Sequence, residues 1–542
     1  METSKSGPSL TISSASKQPE AARKFHTFVI QQNPMHTHKD LRTLLLCALY
    51  AFVLLFFLSP DSYLRDLFGH FDSTIFFMCG KAWMNGMTPY VDFADSKGPL
   101  LWLIYGLGYL LSHHSYVGVF WISVVFYTAT LFTAYKLSRL FLEPRPSALC
   151  VAILPLALFY YELHCEVIAE DYCYLFTTLS LYCLCRIIGD KSLPKRKLFL
   201  LSVTLGLCFA ATLLIKWNYA GMIGSVMLVA FILSLWRRTI VACLGGMVAG
   251  AAVLILPFLI YFLAFADLEA MVQEYFLNTF RTMDGRSSAF EVLFFGRLIF
   301  TKERLTIILF IGLLLFCWKR RNYAWLFVCF FIFRIGIGLA LYKYYYSALM
   351  PFFLFLLIAV VGYIYSKWPL WLNRLTPALC ILAVIGVICC DMKTINANFR
   401  HAKEDRETFY AAAYVMSQVE KPKVLFFNLC IGMGTPVDEL PACRYWTRQL
   451  GATDQMLEER EQALKDRKAD FVMMQSVLHA TETVEEVSAK IEAQGYVPYV
   501  VVPFTPWNQT FTLYGRPGLQ LPPGDFHVSQ WDVWLKRNIF NI

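Results

Sequence analysis

Between residues 72 and 97 the chain sets Asp72, Asp92, Asp95 and Lys97 against long apolar runs. A second polar group, "ELHCEVIAED" at 162–171, offers Glu162, His164, Glu166, Glu170 and Asp171. Isolated cations follow: Lys216 in "LLIKWN", Arg334 in "FIFRIGIGL", and Lys343 heading "YKYYY", with Tyr344, Tyr345 and Tyr346 behind it. Carboxylates at an apolar boundary can accept a proton, and a cation beside an apolar wall draws an anion. An arginine inside an apolar span is costly and by default functional. The His-x-Glu pair at 164–166, with acids nearby, could ligate a divalent metal, although its spacing is unspecific. Each residue also has a purely structural reading. Asp72 can cap the helix beginning "STIFFMCGKAW". Asp92, Asp95 and Lys97 can form a local turn and ion-pair network. Glu166 or Glu170 can pair with a lysine such as Lys216. Lys216 and Lys343 can be interfacial anchors, Arg334 a snorkelling or paired side chain, and the tyrosines part of an aromatic belt.

The elements that would position these groups are membrane helices. Of 542 residues, 57% are hydrophobic and 16% charged, which excludes a soluble globular domain for the whole chain. The formal net charge of +9 sits mostly in short clusters between apolar runs, as in cytoplasmic loops, and does not suggest a nucleic-acid partner. Residues 1–41 read as a disordered cytoplasmic tail, with no signal peptide before Leu44. A first span runs from Thr43 to Ser59, with Lys39 and Arg42 on its inner side. Residues 60–115 form an outer loop whose short run 98–112 reads as an interfacial helix. The next span covers 116–137. Basic clusters at 189–197, 236–238, 318–322 and 366–374 then recur at every second turn, which gives about eleven spans. The exception is "TKER" (301–304), which falls outside in the longer segment 264–303, where Arg281, Arg286 and Arg297 are further anion-binding candidates. From 392 to 542 the pattern changes to strands ("KVLFFN", "ADFVMMQS", "YVPYVVVPF") alternating with amphipathic helices ("DQMLEEREQALKDR", "ETVEEVSAKIEAQ"), a small α/β domain. Most of the 16 cysteines lie in apolar runs; Cys430 and Cys443 are the exception, and read either as a disulfide or as two thiols.

The stretch "GHFDSTIFFMCGKAWMNGMTPYVDFADSKGPLL" (69–101) resembles the first outer loop of GT-C fold glycosyltransferases, the superfamily of the lipid A aminoarabinose transferase and the protein O-mannosyltransferases. The matching features are Asp72 after the first span, the turn Gly86–Asp92, and Lys97–Pro99 leading into an interfacial helix. Many relatives carry Asp-Glu where this chain has Asp72–Ser73. The resemblance implies a GT-C transmembrane domain over 42–391; the span count places the α/β domain, 392–542, on the extracytoplasmic side. It implies a polyprenyl-phosphate-linked sugar as donor, transferred with inversion outside the cytoplasmic membrane to a lipid, glycan or protein acceptor. Asp72 would then be the general base, a role contributing roughly 10²- to 10⁴-fold. Asp92, Asp95, Lys97, Glu166, Glu170, Lys216, Arg334, Lys343, Tyr344 and Tyr345 are candidate substrate contacts, with the cations aimed at developing phosphate charge. Some members use a divalent metal and others none, so no cofactor is assigned. Three rival readings stand beside this one: a transporter or flippase of a glycolipid or anionic solute, which should show an internal repeat, a lipid-glycan ligase or polymerase, and a non-catalytic scaffold that kept the fold, against which the intact Asp72 argues.

Overall fold

The computed structural model describes residues 37–62, 71–156, 168–278, 304–337, 348–392, 395, 409–428, 432–447, 452–476, 483–504 and 509–522; for 37–39, 304–305, 334–337 and 504 only the backbone is described. The first long apolar run forms α1 (Thr37–Leu58), and the loop after it folds into α2 (Phe71–Met84) and α3 (Pro99–Leu111). Then come α4 (Val117–Ser138), α5 (Pro144–Ile153), α6 (Ala169–Gly189), α7 (Lys195–Ile215), α8 (Trp217–Trp236) and α9 (Ile240–Ala264). The short α10 (Leu268–Met271) continues as a π-helix, Val272–Leu277. The bundle ends with α11 (Arg304–Trp318), α12 (Trp325–Ile337), α13 (Met350–Lys367) and α14 (Pro369–Cys389). Prolines open α3, α5, α13 and α14 within their first turns, where the missing N–H costs no helical bond.

Among the described residues, eight helices are long and apolar enough to cross a membrane, and three shorter ones, including Pro99–Leu111, are apolar but too short to qualify. The chain is a multi-span membrane protein. The 98–112 run is the short helix α3, which packs against α2. Gly80 and Gly106 make this crossing tight: a Cβ on Gly80 would fall 2.4 Å from the Gly106 nitrogen.

Beyond the bundle, β1 (Lys423–Phe427), β2 (Leu440–Pro441), β3 (Phe471–Gln475), β4 (Val497–Phe504) and β5 (Gln509–Gly515) make one sheet in the order β2-β1-β3-β5-β4. β2, β1 and β3 run parallel, and β5 pairs antiparallel with both β3 and β4. The helices α15 (Asp454–Lys465) and α16 (Val484–Ala493) start at Thr453 and Thr483, whose hydroxyls accept N–H bonds. Strand alternation splits the sheet into two faces. Leu425, Phe427, Val472 and Met474 pack with Leu464, Val487 and Ile491 of these helices. Val424, Phe426, Phe471 and Met473 instead join the core that runs through the helical bundle. The expected α/β region therefore shares its core with the membrane helices.

Candidate active site

Asp72 is the second residue of α2, half-buried in the first turn, where the helix dipole favours a negative charge. The adjacent Ser73 donates its hydroxyl to Asp61 Oδ1 at 2.9 Å, and both residues are fully buried. A carboxylate thus reaches this spot from the end of α1 rather than from position 73.

The stretch 88–98 folds back over α2. Asp92 is exposed, and its Oδ2 accepts the Thr88 N–H at 2.6 Å, so its charge closes a turn. Tyr90 adopts φ 66°, buries its ring against Trp102, and donates its hydroxyl to the Lys97 carbonyl at 2.9 Å. That fold turns Asp95 and Lys97 inward. Asp95 Oδ2 accepts the Lys97 N–H at 3.2 Å, and the Lys97 ammonium lies 3.9 Å from the same oxygen and 5.5 Å from the centre of the Phe76 ring. Burial raises the Asp95 carboxyl above the usual carboxylate range; Lys97 opposes this and the charge of Asp72 adds to it. Asp72 and Asp95 are therefore electrostatic neighbours.

Gly98 ties this loop to the break between α7 and α8. Its N–H bonds the Ile215 carbonyl at 3.0 Å. A Cβ there would lie 2.1 Å from the Leu214 oxygen, so only glycine permits the approach. At the break Lys216 is extended, and its ammonium pairs with Glu170, in the first turn of α6; both side chains are buried. Next to Glu170, Asp171 accepts the Ile168 N–H at 2.9 Å and the Tyr127 hydroxyl at 2.5 Å.

Among the sequence candidates the fold thus gathers Asp72, Asp95, Lys97, Glu170 and Lys216 at one end of the bundle, with Asp92 on the rim. Glu166, Lys343, Tyr344 and Tyr345 lie outside the described residues, as do Glu162, His164, Tyr346, Arg281, Arg286, Arg297 and Cys430. Arg334 is on α12, its side chain likewise outside them. Among the described residues no three His, Cys, Asp or Glu side chains are arranged to hold a metal ion.

The sheet closes over this end. The Ala94 N–H bonds the Arg444 carbonyl at 2.9 Å, Arg444 Nε donates to the Val91 carbonyl at 3.2 Å, and the Tyr445 hydroxyl donates to Glu274 at 2.6 Å. Glu439, fully buried after the loop 432–438, faces Lys81 of α2. Burial raises its carboxyl to about 7, against the pull of Lys81 and the Gly434 N–H. Sequence reasoning passed over Asp61, Lys81, Glu274, Arg444 and Glu439. For Asp61 the signal was present in "SPDS" directly after the first span, while the others are ordinary charges in polar or amphipathic stretches.

Comparison with known proteins bears on the fold. Residues 96–265 match the family described as dolichyl-phosphate-mannose-protein mannosyltransferase. The crystal structure of ArnT from Cupriavidus metallidurans bound to undecaprenyl phosphate superposes with a TM-score of 0.55 at 12% identity, over 88% of this chain and 98% of that one. The apo structure of ArnT from Cupriavidus metallidurans gives 0.51 at 13% identity over the same shares. No curated protein matches the chain. The chain has a GT-C fold, with a sheet domain appended to its helical bundle.

Proposed function

We propose that the chain is a membrane glycosyltransferase that moves a sugar from a polyprenyl-phosphate carrier to a hydroxyl-bearing lipid, glycan or protein acceptor, with inversion. One observation carries the reading: Asp72, Asp95–Lys97 and Glu170–Lys216 converge at one end of a GT-C bundle, beneath the appended domain. The family matched by residues 96–265 and the undecaprenyl phosphate in the similar ArnT structure both suggest a lipid-phosphate donor.

In this mechanism Asp72 takes the proton of the acceptor hydroxyl as its oxygen attacks the anomeric carbon. The bond from that carbon to the phosphate oxygen breaks, and the lipid phosphate leaves with the electron pair. Lys97, beside Asp95 and over the Phe76 ring, would face that departing charge, with Lys216 held by Glu170 at the adjoining helix break. A cation already fixed in place needs no reorganisation when the charge develops, and the low-dielectric wall beside it strengthens the attraction.

The opposite end of the bundle fits the cytoplasmic side. Trp236, Trp318, Trp368 and Trp371 are exposed there, next to Arg237, Arg238, Lys319, Arg320, Arg321 and Lys367, an aromatic and basic girdle of the kind that fixes orientation. Asp72 and the sheet domain would then face away from the cytoplasm, across an inner membrane. The decisive experiment is transfer from a radiolabelled polyprenyl-phosphate sugar by the purified protein and by D72N. Loss of transfer with the carrier still bound supports the reading; a fully active D72N sinks the role of Asp72, and flux without glycosylated product points to a transporter.

A further inference from the structure

Three segments far apart in sequence close a ring around Lys97. The π-helix Val272–Leu277, a rare element that often marks functional positions, sends two consecutive side chains to different partners. Glu274, 9% exposed, accepts the Tyr445 hydroxyl at 2.6 Å and lies 3.7 Å from Arg444 Nη1. Tyr275 is fully buried; its hydroxyl accepts the Trp217 N–H and donates to the Leu213 carbonyl, both at 2.8 Å, which bridges the break at Lys216. Gly98 packs on the same tyrosine: a Cβ there would stand 2.9 Å from its hydroxyl. From the other side, Arg444 holds the loop through the Val91 carbonyl and the Ala94 N–H.

We infer that Glu274, Arg444 and Tyr445 form a latch through which the sheet domain positions the 91–98 loop against the Lys216 break. These residues touch neither the proposed base nor the leaving group; they are positioning residues. The chain of bonds runs from the sheet to Glu274, through the adjacent Tyr275 to 213–217, and back through Gly98 to Lys97. The domain therefore sets the spacing between the two lysines. Burial and the neighbouring Glu274 both raise the Tyr445 phenol above its usual range, so it remains a neutral donor to that carboxylate.

This inference rests on the proposed donor site only in its binding readout, and a second readout stands apart from it. Y445F removes one hydroxyl from the latch and E274Q removes its charge, while E274D is the conservative return. Y499F removes a hydroxyl that bonds the Arg516 carbonyl at 2.8 Å, within the sheet domain and away from the latch. In the full-length protein in nanodiscs, amide exchange at Ala94, Gly98 and Trp217 should quicken in Y445F and E274Q, with E274D intermediate and Y499F unchanged. Affinity for undecaprenyl phosphate should fall about tenfold in the same two variants, the loss expected for one hydrogen bond to a charged partner. Wild-type exchange at these amides in both variants would overturn the latch, as would a loss of binding that only tracks the fraction of folded protein. If the wild-type chain neither binds undecaprenyl phosphate nor transfers sugar, the proposed function fails and the exchange measurement still decides the latch.

Discussion

At the scale of single residues, the chemistry here depends on what burial does to charge. Glu170 and Lys216 are both taken out of water, and each is tolerable there because the other is present. K216A should therefore cost about 3–5 kcal/mol by leaving a buried carboxylate unpaired. The double replacement E170M/K216M should recover much of that stability without recovering transfer. Thermal unfolding in detergent, set beside a transfer assay, separates the two effects. If K216A unfolds like the wild type, the pair contributes nothing to the fold and its burial needs another account. Asp92 shows the contrary case: it sits in the same short stretch as Asp95, yet it is exposed and committed to a turn. Two acids three residues apart thus have different surroundings, and only the inward one joins the cluster around Asp72.

At the scale of elements, the site is assembled where helices begin and end. Asp72, Lys97, Glu170 and Lys216 all stand at or beside helix termini, where side chains can reach one another and backbone groups are free to bond outside the helix. The contact between the 91–98 loop and the α7–α8 break has no spare room at Gly98. G98A must push the turn away from the Leu214 carbonyl, at a cost of about 1–3 kcal/mol. The same displacement should lower transfer more than it lowers expression, because Lys97 moves with the turn. Comparing the kinetics of G98A with those of G86A makes the test specific. Gly86 is the converse case: its φ is positive, unlike that of Gly98, and a Cβ there would meet nothing within 4 Å, so its substitution brings backbone strain without a clash. Equal effects from the two variants would refute a steric role for Gly98.

At the scale of the whole molecule, the sheet domain and the bundle share one core, and titratable groups are buried at their junction. Glu439 is closed in against Lys81 of α2 and the Gly434 N–H, while its neighbour Asp438 faces His114 and Tyr109. Docking raises the Glu439 carboxyl from 4.5 to about 7. The folded state therefore binds an extra proton between those values. The sign follows from linkage: the contribution is full below the unfolded value and is lost as pH rises through about 7. E439Q should remove this dependence and flatten the fall in unfolding temperature between pH 4.5 and 7. An unchanged slope in E439Q would assign the pH dependence to another group, Asp95 being the next raised carboxyl.

Much of this was legible without coordinates. Long apolar runs announce membrane helices because the bilayer core leaves backbone groups no other way to be satisfied, and Pro99 and the Thr-x-x-Glu run at 483 mark helix starts for equally local reasons. The basic loops alone led to the expectation that the polar oddities gather on one side; of these, Asp72, Asp95, Lys97, Glu170 and Lys216 meet at one end of the bundle, while Glu166, Lys343, Tyr344 and Tyr345 lie outside the described residues. The strands β2 and β5 were not anticipated; β2 is only two residues long and becomes a strand by pairing with β1. Arg444 looked like any charge in a polar region, because its partner Val91 lies 353 residues away.

The sequence by itself determined the membrane class, the motif of the loop after the first span and the identity of the acids and lysines, since these depend on composition and on neighbours a few positions apart. Only the tertiary structure decided which of those charges are buried together, that Ser73 takes Asp61 as its carboxylate partner, and that the sheet domain holds the loop carrying Lys97. Burial and pairing depend on contacts between distant segments, and no local pattern of residues encodes who the neighbour will be.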